Sequence, residues 1–352
     1  MPDWRKSMTR TFEYYTVDPG TWMDVKKLTA VTRSTISWDA ESNTLGTASM
    51  DVDEEIGECY VRIYLITIQN GVKEKFPLGT FLVQTPSTSF DGKRKSTTVD
   101  AYTPLLELKE NPPDLGYSLL KGDNIMDRAY MLVREHARAP VARTENSTTL
   151  QYDFVADTSD TWLSFISDLI GNAKYEFTLD ELGRILFTPK QDIASLQPVW
   201  EYSDDEMSIL LPEISTHRDL FDIPNVIEVV YSNGAETYYA TVVNDDPNSP
   251  VSTVSRGRVI KQRITNPKFS GIATNYQIQE YAKQLLREAS TIECTISYKH
   301  GYCPVRMGDC VLINYSRAGL YNVKAKVISQ NITCDTDCQV SEKAIFTTKL
   351  WG

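Results

Sequence analysis

The run YVRIYLITI, Tyr60 to Ile68, is rich in β-branched and aromatic residues and is followed at once by Asn70-Gly71. Such a run fits a pleated strand, and Asn-Gly is the pair that best tolerates the positive φ angles of a two-residue hairpin turn. FLVQT (Phe81 to Thr85) and STTVDAY (Ser96 to Tyr102) continue the pattern. The first hundred residues therefore predict an antiparallel sheet or barrel. Between two of these strands, FDGKRKS (Phe90 to Ser96) sets Asp91-Gly92 before three basic residues and predicts a solvated hairpin tip.

Composition shifts after Pro112-Pro113. Asp123 is a candidate cap for a helix with Ile125, Ala129, Leu132, Val133 and His136 on one stripe, ending near Pro140. Thr158 or Ser159 is a candidate cap for a second, with Trp162, Leu163, Ile166, Leu169 and Ile170 inward and Gly171 just past its end. The segments YEFTL and RILFTP then predict a hairpin turned at Glu181 to Gly183. Strand signals return from Trp200. NVIEVVYSNGAETYYATVVN reads as a hairpin about Asn233-Gly234, and in TNYQIQEYAKQLLREAS a Thr274/Gln277 capping box opens a helix whose stripe is Ile278, Tyr281, Ala282, Leu285 and Leu286. TIECTISY, DCVLINY and YNVKAKVISQNITC then predict a closing meander.

A chain of 352 residues is long enough for two or three domains. With 41% hydrophobic and 24% charged residues it has the balance of an ordinary folded protein. Its net charge of −11 argues against gripping nucleic-acid phosphates, which needs a Lys/Arg surplus. No run approaches the roughly 18 apolar residues of a membrane span, and MPDWRKSMTRTFEYY carries no apolar core of a secretion signal, so synthesis in a cytosol is expected.

Cys294, Cys303, Cys310, Cys334 and Cys338 crowd the last sixty residues, while Cys59 stands apart. No C-x-x-C spacing occurs, so buried thiols are expected rather than zinc ligands. The acidic clusters Asp51/Asp53/Glu54/Glu55, Asp204/Asp205/Glu206 and Asp335/Asp337 lack the twelve-residue calcium loop. His136, His217 and His300 lie in separate segments without a nucleophile motif, and there is no P-loop and no G-x-G-x-x-G. A glycosidase pair could be sought in Glu176 and Asp180, but four residues along one strand is roughly 13 Å, too wide for either hydrolytic geometry. In VRMGDCVLINY, Gly308 and Asp309 suit a turn between two strands, with no chemistry required. No catalytic, cofactor or metal residues are assigned, and no enzyme is expected.

Taken in order, PLGTFLVQTP, STTVDAY, SLLKGDNIMDRAYMLV, PNVIEVVYSNG, IQEYAKQLL and VRMGDCVLI resemble the hub proteins at the tip of phage tails and related contractile machines. The resemblance implies a mainly β fold with two tail-tube-like barrels, at roughly 1–104 and 191–352, that exchange segments, and a small α+β insertion domain at 105–190. It also implies a homotrimer that continues the six-fold tail tube towards the tip or spike and leaves a lumen through which DNA passes without specific binding. The implied partners are a tail-tube or distal tail protein above, a tip, spike or fibre protein below, and the tape-measure protein. The implied location is the virion. A carbohydrate- or receptor-binding module is the alternative, suggested by 19 Tyr and 6 Trp.

Overall fold

The computed structural model describes every residue except 54–55, 91, 94, 233–235, 268–273 and 352, and every other side chain except those of 85 and 95. The chain divides into a larger unit, Met1–Ile214 with Tyr298–Lys343, and a smaller one, Ser215–Ser297 with Ala344–Gly352.

The larger unit begins with β1 (Thr9–Val17), β2 (Asp24–Leu28), β3 (Val31–Asp39), β4 (Gly46–Val52), β5 (Tyr60–Gln69), β6 (Val72–Phe90) and β7 (Lys95–Tyr102). β4 shows the period-two rule plainly: Ala48, Met50 and Val52 are buried, while Thr47, Ser49 and Asp51 face outward. β5 is buried at every position from Tyr60 to Thr67, so both of its faces are covered and its run is continuously apolar rather than alternating. Asn70 and Gly71 both hold positive φ, 51° and 79°, in the tight turn that pairs Gln69 with Val72. β6 is long enough to pair with β5 in its first half and β7 in its second, with register shifts at each half. Of the polar tip FDGKRKS, Asp91 and Arg94 lie outside the described residues.

The insertion follows as α1 (Leu106–Glu110), β8 (Ser118–Leu119), α2 (Ile125–His136), β9 (Phe154–Val155), α3 (Trp162–Gly171), β10 (Tyr175–Leu179) and β11 (Ile185–Pro189). Its core is closed by Leu105, Leu108, Ile125, Ala129, Val133, Phe165, Ile166 and Ile170. Both helix stripes face this core as their spacing predicts, but the caps differ. Asn124, not Asp123, accepts the Asp127 amide at the start of α2, because the Asp123 carboxylate is taken by the Leu120 amide and Arg128. Thr161, not Thr158 or Ser159, caps α3 in a reciprocal box with Ser164, and the Asp157 carboxylate instead closes a turn over Thr158 and Ser159. Gly171 is the last helical residue, with Asn172 after it.

Next come β12 (Pro198–Ser203) and β13 (Leu210–Arg218), then the smaller unit's β14 (Val226–Ser232), β15 (Thr237–Val243), α4 (Thr253–Arg256), β16 (Lys261–Thr265) and α5 (Asn275–Ala289). The hairpin of β14 and β15 forms in register, while its turn, Asn233-Gly234, lies outside the described residues. β16 adds in parallel to β14. Thr274 caps α5, and Ile278, Ala282 and Leu286 pack without exposure against Ile227, Val229, Ala240 and Val242. α4 and β16 were not anticipated, since neither short polar segment has a readable apolar period.

β17 (Thr291–Gly301), β18 (Cys310–Tyr315), β19 (Leu320–Thr333) and β20 (Gln339–Lys349) end the chain. They do not form a simple meander. The sheet order is β13-β17-β20-β19-β3-β4-β7-β6-β5-β1-β2, with β18 on β19 and β12 parallel on β18. The protein is thus mainly β with an α+β insertion, but among the described residues there is no closed barrel. The reason is β19, whose last five residues pair with β3 and so join the late strands to the early ones in one open sheet.

The insertion's hairpin turn is fitted against this sheet by Gly183, at φ +77°, where a Cβ would lie 2.7 Å from that of Thr80. Gly183→Ala combines left-handed strain with that clash and is expected to cost about 1–3 kcal/mol. Urea denaturation monitored by tryptophan fluorescence would measure the loss as a lower midpoint at unchanged slope.

Candidate functional site: a buried ionic centre beside an apolar cleft

The Gly-Asp step is a turn. Gly308 has φ +92°, the Asp309 carboxylate accepts the Arg306 amide at 2.9 Å, and the two residues exchange backbone hydrogen bonds with Val327. Burial raises the pKa of Asp309, as expected of a turn carboxylate closed over by its own loop. Only one of the two expected strands exists, however. Val305 to Met307 form a loop, and the side chain of Gln330 donates to the Val305 carbonyl at 2.9 Å, satisfying inside the protein a group that a ladder would otherwise have taken.

That loop covers a polar centre that motif reasoning missed. His300 on β17 lies 3.2 Å from the Glu342 carboxylate on β20, and neither side chain is exposed. Tyr202 on β12 sets its hydroxyl 3.1 Å from His300 Nε2, 3.3 Å from Glu342 and 3.3 Å from the Cys303 sulfur. Gln330 on β19 donates to Glu342 as well. Burial pushes the His300 pKa down, but the Glu342 charge and hydrogen bonds outweigh it and raise it to about 10. Burial likewise opposes ionisation of Glu342, and His300 reverses it, leaving that pKa lowered. The pair is ionised and mutually dependent. His300 Nδ1 meets the Gly301 carbonyl at 2.7 Å and Nε2 meets Glu342 and Tyr202, so neither ring nitrogen is free to act as a base. With Cys303, His300 and Glu342 all almost wholly buried, no substrate reaches the thiol, and the set holds four strands and a loop together.

Beside the centre lies a cleft of about 180 Å³, walled by Trp38, Phe76, Pro77, Leu78, Tyr302, Pro304, Val305, Met307 and Ile332. Trp4 meets the rings of Phe76 and Tyr302 edge-on at 5.2 Å and so fixes two of the walls. Ion pairs stand around the cleft: Arg306 with Glu181, and the Met1 ammonium with Glu74 at 3.3 Å.

The other sequence candidates are dispersed. Glu176 faces Lys326 at 3.6 Å, while Asp180 accepts the Leu182 and Arg184 amides and the Arg184 guanidinium, which makes it a turn residue. His136 stacks on Trp162 at 4.1 Å, and His217 is exposed on β13. Asp204 and Asp335 accept hydrogen bonds from their own loops or neighbouring strand ends, and Glu54 and Glu55 lie outside the described residues. Among the described residues no group of three acidic, His or Cys side chains could hold a metal. All six cysteines are free, five of them buried and Cys59 half-buried. One signal for the centre was in the sequence: in QVSEKAIF, Glu342 has the parity of the inward Val340, Ala344 and Phe346.

No family model matches the chain, and no curated protein matches it. Solved structures do. A tail protein from Neisseria meningitidis MC58 aligns over 96% of both chains with a TM-score of 0.60 at 12% identity. The 43 kDa tail protein of prophage MuSo2 from Shewanella oneidensis aligns over 95% of this chain and 98% of its own, with a TM-score of 0.59 at 12% identity. The chain has the fold of these tail proteins. A chain of the Francisella PdpA-VgrG complex also aligns, over 98% of this chain but 53% of its own, with a TM-score of 0.56 at 7% identity. Within the tail-protein fold, the ionic centre sits where β12, β17, β19 and β20 meet the 302–307 loop, and the cleft lies between that loop, β3, β6 and β19.

The two pKa shifts set a pH window. Because the His300 pKa is raised, its contribution is complete below the ordinary histidine value of 6.5 and fades as pH climbs towards about 10. Because the Glu342 pKa is lowered, its contribution is complete above 4.5 and fades as pH falls below that. Unfolding free energy is expected to be flat between 4.5 and 6.5 and to decline on either side of that window, and Glu342→Gln should remove most of the alkaline slope. Truncation to Glu342→Ala, which strands a buried imidazolium, is expected to cost about 3–5 kcal/mol near neutral pH. Denaturant titrations across pH check both.

Proposed function

We propose that this chain is a non-enzymatic structural hub of a phage tail tip or baseplate. The observation that carries the reading is the alignment over nearly the whole length with the Neisseria tail protein. The buried Cys303/His300/Glu342 set supports it too, since its groups are consumed in holding strands.

In this reading the hub is a homotrimer. Its early and late strands, near 1–104 and 191–352, are the two tube-like parts of each copy, the segment 105–190 stands outside them, and three copies present six tube-like parts to the six-fold tail tube above. A tip, spike or fibre protein docks below, and the tape-measure protein ends at the hub. DNA passes through the central lumen, and a chain with net charge −11 offers it little attraction. The protein is made in the host cytoplasm, resides in the virion and makes no stable membrane insertion.

Light scattering coupled to size exclusion is expected to give about three times 39.9 kDa, with six-fold pseudo-symmetry in averaged images of the particle. A monodisperse 39.9 kDa species at high concentration would count against the trimer.

A further inference from the structure

We infer that Cys334 and Cys338, opposite each other across the β19–β20 hairpin, are a modification site, a dithiol that exchange with a small-molecule disulfide closes into a cross-strand bond. The pair lies within one copy and owes nothing to the trimer above.

Register places the two residues opposite each other. β19 and β20 are neighbours in the sheet, joined by the short tip 334–338. Gln330 and Glu342 bond side chain to side chain across this hairpin, and each lies four residues from one of the cysteines, so equal counts lead from that contact to Cys334 and Cys338. Ile332 and Val340, midway along, are both buried, and so are the cysteines, at 8% and 0% exposure. Positions two apart on a strand share a face, so both sulfurs enter the same inward layer. The backbone fixes the kind of pair. The Cys334 amide donates to the Ser34 carbonyl on β3 at 3.0 Å, and the Cys338 carbonyl accepts the Tyr302 amide at 3.1 Å, so these groups point to outer neighbours and not to the other cysteine. Such a non-hydrogen-bonded pair holds its Cα atoms roughly 4.5 Å apart. A disulfide spans about 4.4–6.8 Å between Cα atoms.

The tip holds this geometry in place. The Asp335 carboxylate accepts the Asp337 and Cys338 amides at 3.1 and 2.9 Å, and Cys338 takes φ +46°, a left-handed value that its surroundings must impose. Both thiols are free. Burial pushes the Cys334 thiol up to about 12, and it raises Cys338 as well, where the neighbouring Cys334 sulfur adds to the effect. Thiols so suppressed attack slowly in the closed fold. Exchange therefore proceeds through opening of the tip, whose Asp335, Thr336 and Asp337 are exposed.

With oxidised glutathione as the oxidant, the Cys334 thiolate attacks one glutathione sulfur and expels a glutathione thiolate. The Cys338 thiolate then attacks the Cys334 sulfur of the mixed disulfide and expels the second. Two protein thiols lose two protons and two electrons, and one oxidised glutathione becomes two reduced ones. The bond fastens the hairpin four residues beyond Gln330 and Glu342.

The test equilibrates full-length chain with glutathione redox buffers, once in urea below the unfolding transition, which admits tip opening, and once fully unfolded. Samples are quenched in acid, alkylated and digested with trypsin. The tryptic peptide 327–343 contains Cys334 and Cys338 and no other cysteine, so the bond appears there as the loss of two hydrogens. Expected is an equilibrium constant for that bond about ten-fold or more larger in the folded chain than in the unfolded one, together with a raised urea midpoint for the oxidised protein. Cys338→Ser is expected to leave only a glutathione adduct on this peptide. An equal or smaller constant in the folded wild type, a glutathione adduct there without the internal bond, or a bond from either residue to another cysteine overturns the site, and none of these readouts depends on how the variant folds.

Discussion

Arg62 is the interaction on which the rest of the larger unit depends. Its side chain is almost wholly buried on β5, yet every direction of the guanidinium is met: Nε donates to Thr80 Oγ1 at 2.9 Å, one terminal nitrogen to the Asp24 carboxylate at 2.8 Å, and the other to the Trp22 and Leu182 carbonyls at 3.2 and 3.1 Å. Four segments distant in sequence are tied at one charge: β5, β6, the turn into β2, and the insertion's hairpin. The Leu182 carbonyl also accepts the Trp22 indole at 2.7 Å, using both lone pairs, and Asp24 accepts Tyr64 at 2.7 Å. A buried cation tolerates no missing partner, so the network permits one placement of the insertion turn and excludes its neighbours. That placement brings the backbone of residue 183 so close to Thr80 that only glycine fits.

The second constraint works from the opposite side of the same turn. Glu181 is paired with Arg306, whose loop closes over the His300–Glu342 centre. The insertion hairpin is therefore gripped through Leu182 by early strands and through Glu181 by the late loop. Buried ion pairs add little net stability compared with apolar residues of the same volume, but they penalise every wrong register heavily. In an open sheet whose strands come from both ends of the chain, that penalty matters, because a one-residue slip would turn each strand inside out.

Local features were legible where one short signal decides them. Asn70-Gly71 set its turn, and the α5 stripe set its buried face. The caps of α2 and α3 slipped by one to three residues because several Asp, Ser and Thr residues compete there, and the three-dimensional position of Leu120 and Arg128, not the local sequence, claimed Asp123. The single sheet was not legible, since β19 and β3 pair across nearly three hundred residues and neither announces the other. The ionic centre failed for the same reason: Tyr202, His300, Gln330 and Glu342 sit in separate strands, each looking like an isolated polar residue. Glu342 alone betrayed itself, as a carboxylate at an inward position.

The prolines explain why the margins of the open sheet resist further strand pairing. Proline lacks the ladder donor and is confined to edges, bulges and strand starts. Pro212 lies in β13 at one end of the sheet, Pro198 starts β12, Pro86 lies where β6 has left β5 and pairs with β7 alone, and Pro77 sits at the β6 register shift. Three exposed margins are thus blunted against further strand addition. β2, at the other end, carries Lys26 and Lys27, a second common defence, and its Asp24 is committed to Arg62. An open sheet guarded in this way gains little from edge pairing. What it leaves available are compact apolar features on its flanks, of which the cleft beside the ionic centre is one.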